Sequence, residues 1–174
     1  MLRAAGRTKT MHGTARIYPK DGGIWEYGLW ARVSGPGRCE AKGPVRRVRA
    51  GPGEGPAPAK PDPELVSLCN AMTYCGKNGI VTKLAARPGV VVRGRRSESA
   101  GRPAWEFHFR TADVLPPGEG ASYPAAWTLL ADLKTELVQV VELYAIEDGD
   151  LRLRARCEYE YDRPLPPGFD QAPR

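Results

Sequence analysis

Arginine is the residue type with the clearest capacity for chemistry in this chain, because a guanidinium stays charged and binds phosphate oxygens in pairs. Two arginine clusters lie at 46–49 and 93–96, and a tryptophan follows the second. Surfaces that bind nucleic acid combine such cations with aromatic rings on which bases stack. A solvated arginine-rich face above an aromatic core is the alternative, and the sequence leaves both open. The predicted nucleic-acid-binding residues are Arg46, Arg47, Arg49, Arg93, Arg95, Arg96 and Trp105.

The histidines and cysteines point less clearly to a reaction. His12 and His108 are the two histidines, and no serine or cysteine nucleophile is placed beside either of them by the sequence. An exposed His108 is therefore favoured over a general base. The cysteines lack the paired spacing of a zinc site, so we interpret them as thiols in a reducing compartment and expect a cytoplasmic location. They are Cys39, Cys69, Cys75 and Cys157.

Charge is distributed unevenly along the chain. Residues 1–110 carry 20 Lys/Arg against 8 Asp/Glu, whereas residues 111–174 carry 6 against 12, for a net charge of +6. The basic part could attract a polyanion, and the acidic part could attract a cationic partner. No apolar run is long enough for a membrane span, and the N-terminus lacks the apolar stretch of a signal peptide. The acidic residues expected to meet a cationic protein are Glu142, Glu147, Asp148 and Asp150.

Hydrophobic periodicity predicts an α+β fold with a mixed, mostly antiparallel sheet and two packed helices. Helices are predicted at 63–75, capped by an Asp-Pro pair, and at 123–137. Strands are predicted at 14–19, 24–33, 39–49 (broken near 43–44), 80–85, 90–93, 104–110, 138–146 and 151–161. The domain predictions are a flexible basic tail over 1–13, one globular domain over 14–162 and a proline-rich C-terminal tail over 163–174.

The last predicted strand carries a complete alternation of charged and apolar residues. If it paired antiparallel with its own copy about Cys157, each arginine on its polar face would lie opposite a carboxylate. Pairing of these charges with a neighbouring strand or with water is the favoured alternative to this two-fold dimer. The dimer would use Arg152, Arg154, Arg156, Glu158, Glu160 and Asp162.

Two short motifs, together with the order of elements over residues 14–146, resemble the ribonuclease H-like superfamily. An acid followed by two glycines, Asp21-Gly22-Gly23, is similar to the stretch on the first strand where that family's metal site begins. Glu64, in the Pro63-Glu64-Leu65 context, is similar to the family's second acid near the start of its first helix. The resemblance implies that Asp21 and Glu64 bind Mg²⁺ and act in a metal-dependent nuclease.

The same comparison shows where the chain departs from the family. No carboxylate occupies 82–87, where a third acid is needed, and the last element is predicted as a strand rather than a helix. Two carboxylates would hold a single Mg²⁺ weakly. The sequence therefore predicts a nucleic-acid-binding protein whose metal site is degraded; enzymatic activity stays open, with its absence favoured. The alternative function is a non-catalytic protein–protein module, such as an inhibitor, an immunity-type protein or a phage accessory protein, acting through the acidic C-terminal half.

Overall fold

Nine strands form one antiparallel sheet in the computed structural model, which describes residues 1–18, 24–35, 38–42, 47–50, 80–87, 89–116 and 124–169. The strands are β1 (Thr10–Ile17), β2 (Ile24–Gly35), β3 (Arg38–Lys42), β4 (Arg47–Ala50), β5 (Gly94–Ser99), β6 (Arg102–Arg110), β7 (Ala126–Asp132), β8 (Val138–Glu147) and β9 (Asp150–Tyr161). Three short helices accompany them: α1 (Leu2–Ala5), α2 (Ile80–Ala85) and α3 (Thr111–Val114).

The sheet consists of two meanders that meet in its centre. The strand order is β3-β2-β1-β9-β8-β7-β6-β5. β3 pairs with the C-terminal half of the long strand β2, and β4 pairs with its N-terminal half. Strands β1 to β4 form one meander and β5 to β9 form the other. They are joined by pairing of β1 with β9, the first and last strands. Every one of these pairs is antiparallel, so no crossover helix is required among the described strands.

The buried face of the sheet is built from a row of small and apolar side chains in register. Ala15 pairs with Cys157, Cys157 with Val141, Val141 with Leu129, and Leu129 with Phe107. Ala15, Cys157 and Val141 are fully buried. Successive strand residues point to opposite faces, so the residues one position along form a second row on the other face.

The three helices cover the buried face rather than forming a layer of their own. α2 contributes Ile80, which is fully buried, and α3 contributes Val114. The Trp127 indole Nε1 donates a hydrogen bond to Thr111 Oγ1 over 2.9 Å, and the Thr111 hydroxyl donates to the Pro124 carbonyl. These bonds satisfy the polar group of a tryptophan that is 1% exposed, and they fix α3 against the sheet.

Several strand predictions are confirmed. Strands lie at 24–33, 104–110, 138–146 and 151–161, and the break near 43–44 separates β3 from β4. The predicted turn between β8 and β9 is a two-residue loop in which Asp148 and Gly149 have φ of 53° and 86°. Two consecutive left-handed residues give a turn whose twist matches that of the flanking strands, which is why an Asp-Gly pair is favoured there.

The α+β fold class was wrong, because the protein is predominantly β. Residues 126–132 of the predicted helix at 123–137 form strand β7, and residues 80–85 form a helix instead of a strand. β7 is buried on both faces, so it lacks alternation, and its apolar spacing imitates a helix. Residues 90–93 are not a strand, and β5 begins at Gly94. The predicted helix at 63–75 lies outside the described residues.

Both predicted tails contain structured residues. β1 begins at Thr10, and Met11 and Gly13 occupy its buried positions, so the sheet starts inside the expected flexible segment. At the other end, Phe169 is buried and the Arg32 guanidinium lies 5.3 Å from its ring centre. The resemblance to the ribonuclease H-like superfamily was also wrong, since the described elements form an all-antiparallel sheet with strand β7 where that order requires a helix.

Candidate functional site

The face of the sheet opposite the core carries a row of polar side chains placed by strand register. Glu26 pairs with Arg16, Arg16 with Arg156, Arg156 with Glu142, Glu142 with Thr128, and Thr128 with His108. We call these six residues the polar row. It crosses six strands, and hydrogen bonds or ion pairs join Glu26 to Arg16, Arg156 to Glu142, and Thr128 to His108.

Arginines at the centre of the polar row are neutralised by carboxylates on either side. Arg16 and Arg156 lie directly opposite each other, an arrangement of like charges that destabilises a sheet unless anions intervene. Arg16 Nε lies 3.0 Å from Glu26 Oε2, and Arg156 Nη1 lies 2.7 Å from Glu142 Oε1. Glu158 Oε1 lies between the two guanidiniums, 3.0 Å from Arg156 Nε and 3.7 Å from Arg16 Nη1.

The β6 end of the polar row continues through His108 to Glu106. Arg95 Nε donates to Glu106 Oε2 over 2.7 Å, and His108 Nε2 lies 2.8 Å from Glu106 Oε1. The Arg95 hydrogen bond, aided by that of His108, lowers the pKa of Glu106 to about 2, so its carboxylate can only accept. Hence His108 Nε2 carries the proton, while His108 Nδ1 lies 2.9 Å from Thr128 Oγ1. These two contacts fix the orientation of the imidazole, and the hydroxyl beside it belongs to Thr128, which is 3% exposed.

An open groove of about 340 Å³ begins where the polar row ends, over the ends of β6, β7 and β8. We call it the hairpin groove, since one wall belongs to the β8–β9 hairpin. Tyr144 lies on that wall, and its hydroxyl donates to Glu142 Oε2 over 2.7 Å. Burial is the main cause that raises the pKa of Tyr144. The groove is also lined by His108, Arg110, Asp113, Thr128 and Leu151.

A register shift between Leu143 and Tyr144 gives the groove its apolar wall. Leu143 pairs with Ala155, but Tyr144 pairs with Leu153 and Ile146 with Leu151. Without the shift, Tyr144 would lie opposite an arginine, because a slip of one residue exchanges the two faces of a strand. Ile146 is consequently 64% exposed and Leu151 45% exposed at the end of the sheet. The sequence analysis missed both residues, since the alternation of β9 gives no sign of the shift.

The predicted arginines do not converge on one surface. Arg47 and Arg49 lie on β4, whereas Arg95 and Arg96 lie on β5 at the opposite edge of the sheet. Seven strand spacings of about 4.8 Å separate these edges, or about 34 Å along the sheet. Arg95 is paired with Glu106, and the Arg96 guanidinium lies 6.0 Å from the Trp105 ring centre. Arg93, another of the predicted arginines, directly precedes β5 and is exposed. Arg46, Asp21 and Glu64 lie outside the described residues.

The acidic C-terminal half is largely neutralised by its own arginines. Glu142 pairs with Arg156, as described above. Arg154 Nη1 lies 3.3 Å from Glu147 Oε1, and Arg152 Nη2 lies 3.6 Å from Asp150 Oδ2. Asp148 occupies the exposed turn between the strands. A cationic partner would therefore meet carboxylates that already have counter-ions.

The proposed pairing of β9 with its own copy is excluded by the position of β9 in the sheet. β1 occupies one edge of the strand and β8 the other. Its charges pair within the chain, which was the favoured alternative: Glu160 Oε1 binds Arg163 Nη2 at 3.0 Å, and Asp162 Oδ1 accepts the Lys9 backbone N–H at 2.7 Å. Among the candidates for the dimer, Arg152, Arg154, Arg156 and Glu158 have the intrachain partners given above.

Metal binding gains no support from the part of the chain that the structure describes. Within it, no three His, Cys, Asp or Glu side chains cluster as a metal ion would require. None of its helices is both long enough and apolar enough to span a membrane.

No protein-family model and no curated protein matches the sequence. Solved structures of MucB are similar to it in fold. A crystal structure of MucB aligns with a TM-score of 0.45 and 21% identity, covering 99% of this chain and 60% of MucB. The Pseudomonas aeruginosa MucA/MucB complex aligns with a TM-score of 0.38 and 20% identity, covering 97% and 57%. MucB in complex with MucA(peri) gives 0.36 and 16%, covering 97% and 55%. This chain thus spans about 60% of the MucB chain or less.

These findings correct three of the predictions from sequence. The family resemblance was wrong because the described strands form one antiparallel sheet, with β7 where a helix was expected; the similar structures are of MucB. Nucleic-acid binding was wrong with it, because the cationic groove on which it depended is split between two edges of the sheet. The expectation of a cytoplasmic location is corrected as well, since a structure with a similar fold is of MucB in complex with MucA(peri).

Proposed function

We propose that this protein is a non-catalytic protein-binding module and that its partner docks in the hairpin groove. The observation that carries the proposal is the exposure of Leu151, which lines that groove, and of Ile146, its cross-strand partner. Most of the polar face is occupied by charges already paired within the chain. Two exposed aliphatic side chains at its end leave apolar surface that a partner would remove from water.

The composition of the groove fits a protein ligand. Protein interfaces place an apolar centre inside a polar rim, and tyrosine and arginine are enriched in them. Here Leu151 and Tyr144 supply the centre, while Arg110 and Asp113, both exposed, supply a rim of either sign. In the MucB structures a protein partner, MucA, is likewise present. The proposal for this chain depends on the groove.

Site-specific photo-crosslinking in the native host tests this function directly. A benzoylphenylalanine at position 151 should give a discrete adduct with another protein, because it replaces a side chain that we place at the interface. The same probe at Lys134, exposed in the turn at the other end of β7, should give none. Adducts of equal yield from both positions, or no adduct at position 151, would contradict the proposal.

Substitution then measures the contribution of the apolar wall. With the crosslinked partner purified, the double variant Ile146→Ser, Leu151→Ser should weaken binding by about tenfold or more, as truncation of central apolar contacts does. Val91→Ser is the matched control, since Val91 is 79% exposed but does not line the groove. Equal losses in both variants would show that the effect is not local to the groove.

A further inference from the structure

β5 has one partner strand, β6, and no other strand of the described residues pairs with its second edge. The β5–β6 turn is a two-residue loop, Ala100-Gly101, so its flanking pair Ser99–Arg102 is hydrogen-bonded and the pairs alternate from there. Glu98 accordingly lies opposite Pro103, which has no N–H to give. It follows that the backbone N–H and C=O groups of Gly94, Arg96 and Glu98 point away from β6.

The long side chains of β5 leave this edge accessible. Natural sheets guard an open edge with charged side chains that obstruct a second strand. Here Arg95 is held by Glu106 on the polar face, and Arg96 lies over the Trp105 ring on the other face. The two guanidiniums therefore lie along the faces of the sheet. Phe107 covers Gly94 so closely that a Cβ there would come within 2.6 Å of the ring.

The charge of this edge defines the partner that suits it. Residues 93–110 carry five arginines against two glutamates, a net charge of +3, with His108 taken as neutral. A second copy is disfavoured, because two copies of an edge with a net charge of +3 repel each other, and antiparallel self-pairing about Arg96 would set that arginine against itself. An extended segment with carboxylates at alternate positions would instead present them on one face of the added strand, where they can lie opposite Arg96.

We propose that β5 accepts an extended acidic segment of a partner protein as an additional antiparallel strand. Strand addition at a sheet edge obtains its affinity from main-chain hydrogen bonds and its selectivity from alternate side chains. The outward groups of Gly94, Arg96 and Glu98 provide the hydrogen bonds, and the Arg96 guanidinium provides the selectivity for a carboxylate. This inference rests on the proposed protein-binding function. It adds a second binding surface, the edge of β5, and names the partner class as an extended acidic segment.

A synthetic peptide serves as the probe. We choose a fluorescein-labelled nonapeptide that alternates glutamate with valine or threonine, and a control peptide of the same charge with proline at every other position. The first should bind, with an anisotropy change that saturates, and the second should not. Amide hydrogen exchange should slow at Arg96 and Glu98 when the first peptide is added, whereas Arg95 and Ser97 are protected by β6 already.

Two substitutions of one residue separate the backbone from the charge. Arg96→Pro removes an outward N–H that β6 does not use, so an edge strand should tolerate it. Arg96→Ala removes the charge alone and should weaken peptide binding roughly two- to fivefold, as the loss of one cross-strand ion pair does. Arg96→Pro should weaken it by about tenfold or more, because a main-chain hydrogen bond is lost and the ring obstructs the edge.

Three results would overturn the inference: equal binding of both peptides, equal losses in the two variants, or unchanged exchange at Arg96 and Glu98. None of these results would bear on the proposed docking in the hairpin groove, because the crosslink from position 151 tests that surface separately. Failure of the crosslink with retention of peptide binding would instead overturn the groove as the docking site.

Discussion

At the scale of single residues, Glu106 is where a titratable group and the stability of the sheet are most closely linked. Its side chain is 14% exposed and accepts hydrogen bonds from Arg95 and His108. The pKa of Glu106 is lowered from 4.5 to about 2, mainly by Arg95. A carboxylate whose pKa is lower in the folded state contributes stability above about pH 4.5 and loses it as pH falls toward 2.

The pH dependence of unfolding tests this role. Glu106→Gln should lower the free energy of unfolding by about 1 kcal/mol at pH 7, since Arg95 is mostly exposed and the pair is partly screened. The deficit should shrink between pH 4.5 and pH 2.5, because in this range the carboxylate of the unfolded wild-type chain is protonated while that of the folded protein stays largely ionised. Urea denaturation at these three pH values measures it. Glu98→Gln, an exposed acid on the same hairpin, is the control, and a deficit for Glu106→Gln that persists at pH 2.5 would contradict the assignment.

At the scale of elements, the β8–β9 hairpin shows how a turn fixes the register on which the groove depends. Gly149 has a φ of 86°, a conformation that residues with a Cβ adopt only under strain. No heavy atom would lie within 4 Å of a Cβ added there, so the strain is purely conformational. Gly28, in the strand β2, has no left-handed φ, and an added Cβ would meet His12 Nε2 at an ordinary 3.7 Å.

Alanine at these two glycines should therefore have opposite effects. Gly149→Ala should destabilise the protein by about 1 kcal/mol, and Gly28→Ala should be neutral or stabilise it by a few tenths of a kcal/mol. Thermal unfolding of both variants provides the measurement. If Gly149→Ala matched wild type, the left-handed turn would not be required for the hairpin.

The strands that could be predicted from the sequence are mainly those with one solvent-exposed face and one buried face. β6 and β9 alternate between apolar and polar residues, and their positions follow from that period, whereas β8 is recognised by its β-branched and aromatic residues. β7 does not alternate, because Ala126, Trp127, Thr128 and Leu129 are all buried. The polar row was beyond prediction for another reason. Arg16 meets Arg156 and Glu158 across more than 135 positions of chain, and only the sheet order brings them together.

At the scale of the whole molecule, the two meanders depend on the central pairing of β1 with β9. Proline at Thr14, in the middle of β1, would remove a ladder hydrogen bond where both edges of the strand are occupied. Thr14→Pro should therefore lower stability by on the order of 3 kcal/mol. Arg96→Pro, on the edge strand β5, should cost far less. Differential scanning calorimetry of the two variants compares them, and equal losses would contradict the assignment of β5 as an edge.

The position of β9 has a consequence for how the polypeptide folds. The strand that completes the middle of the sheet lies about 140 residues further along the chain than the strand it joins. Until β9 is in place, β1 and β8 each present an unpaired ladder of backbone groups to other unfolded chains. Contacts over such a separation form slowly, so aggregation should compete with folding mainly before β9 enters the sheet.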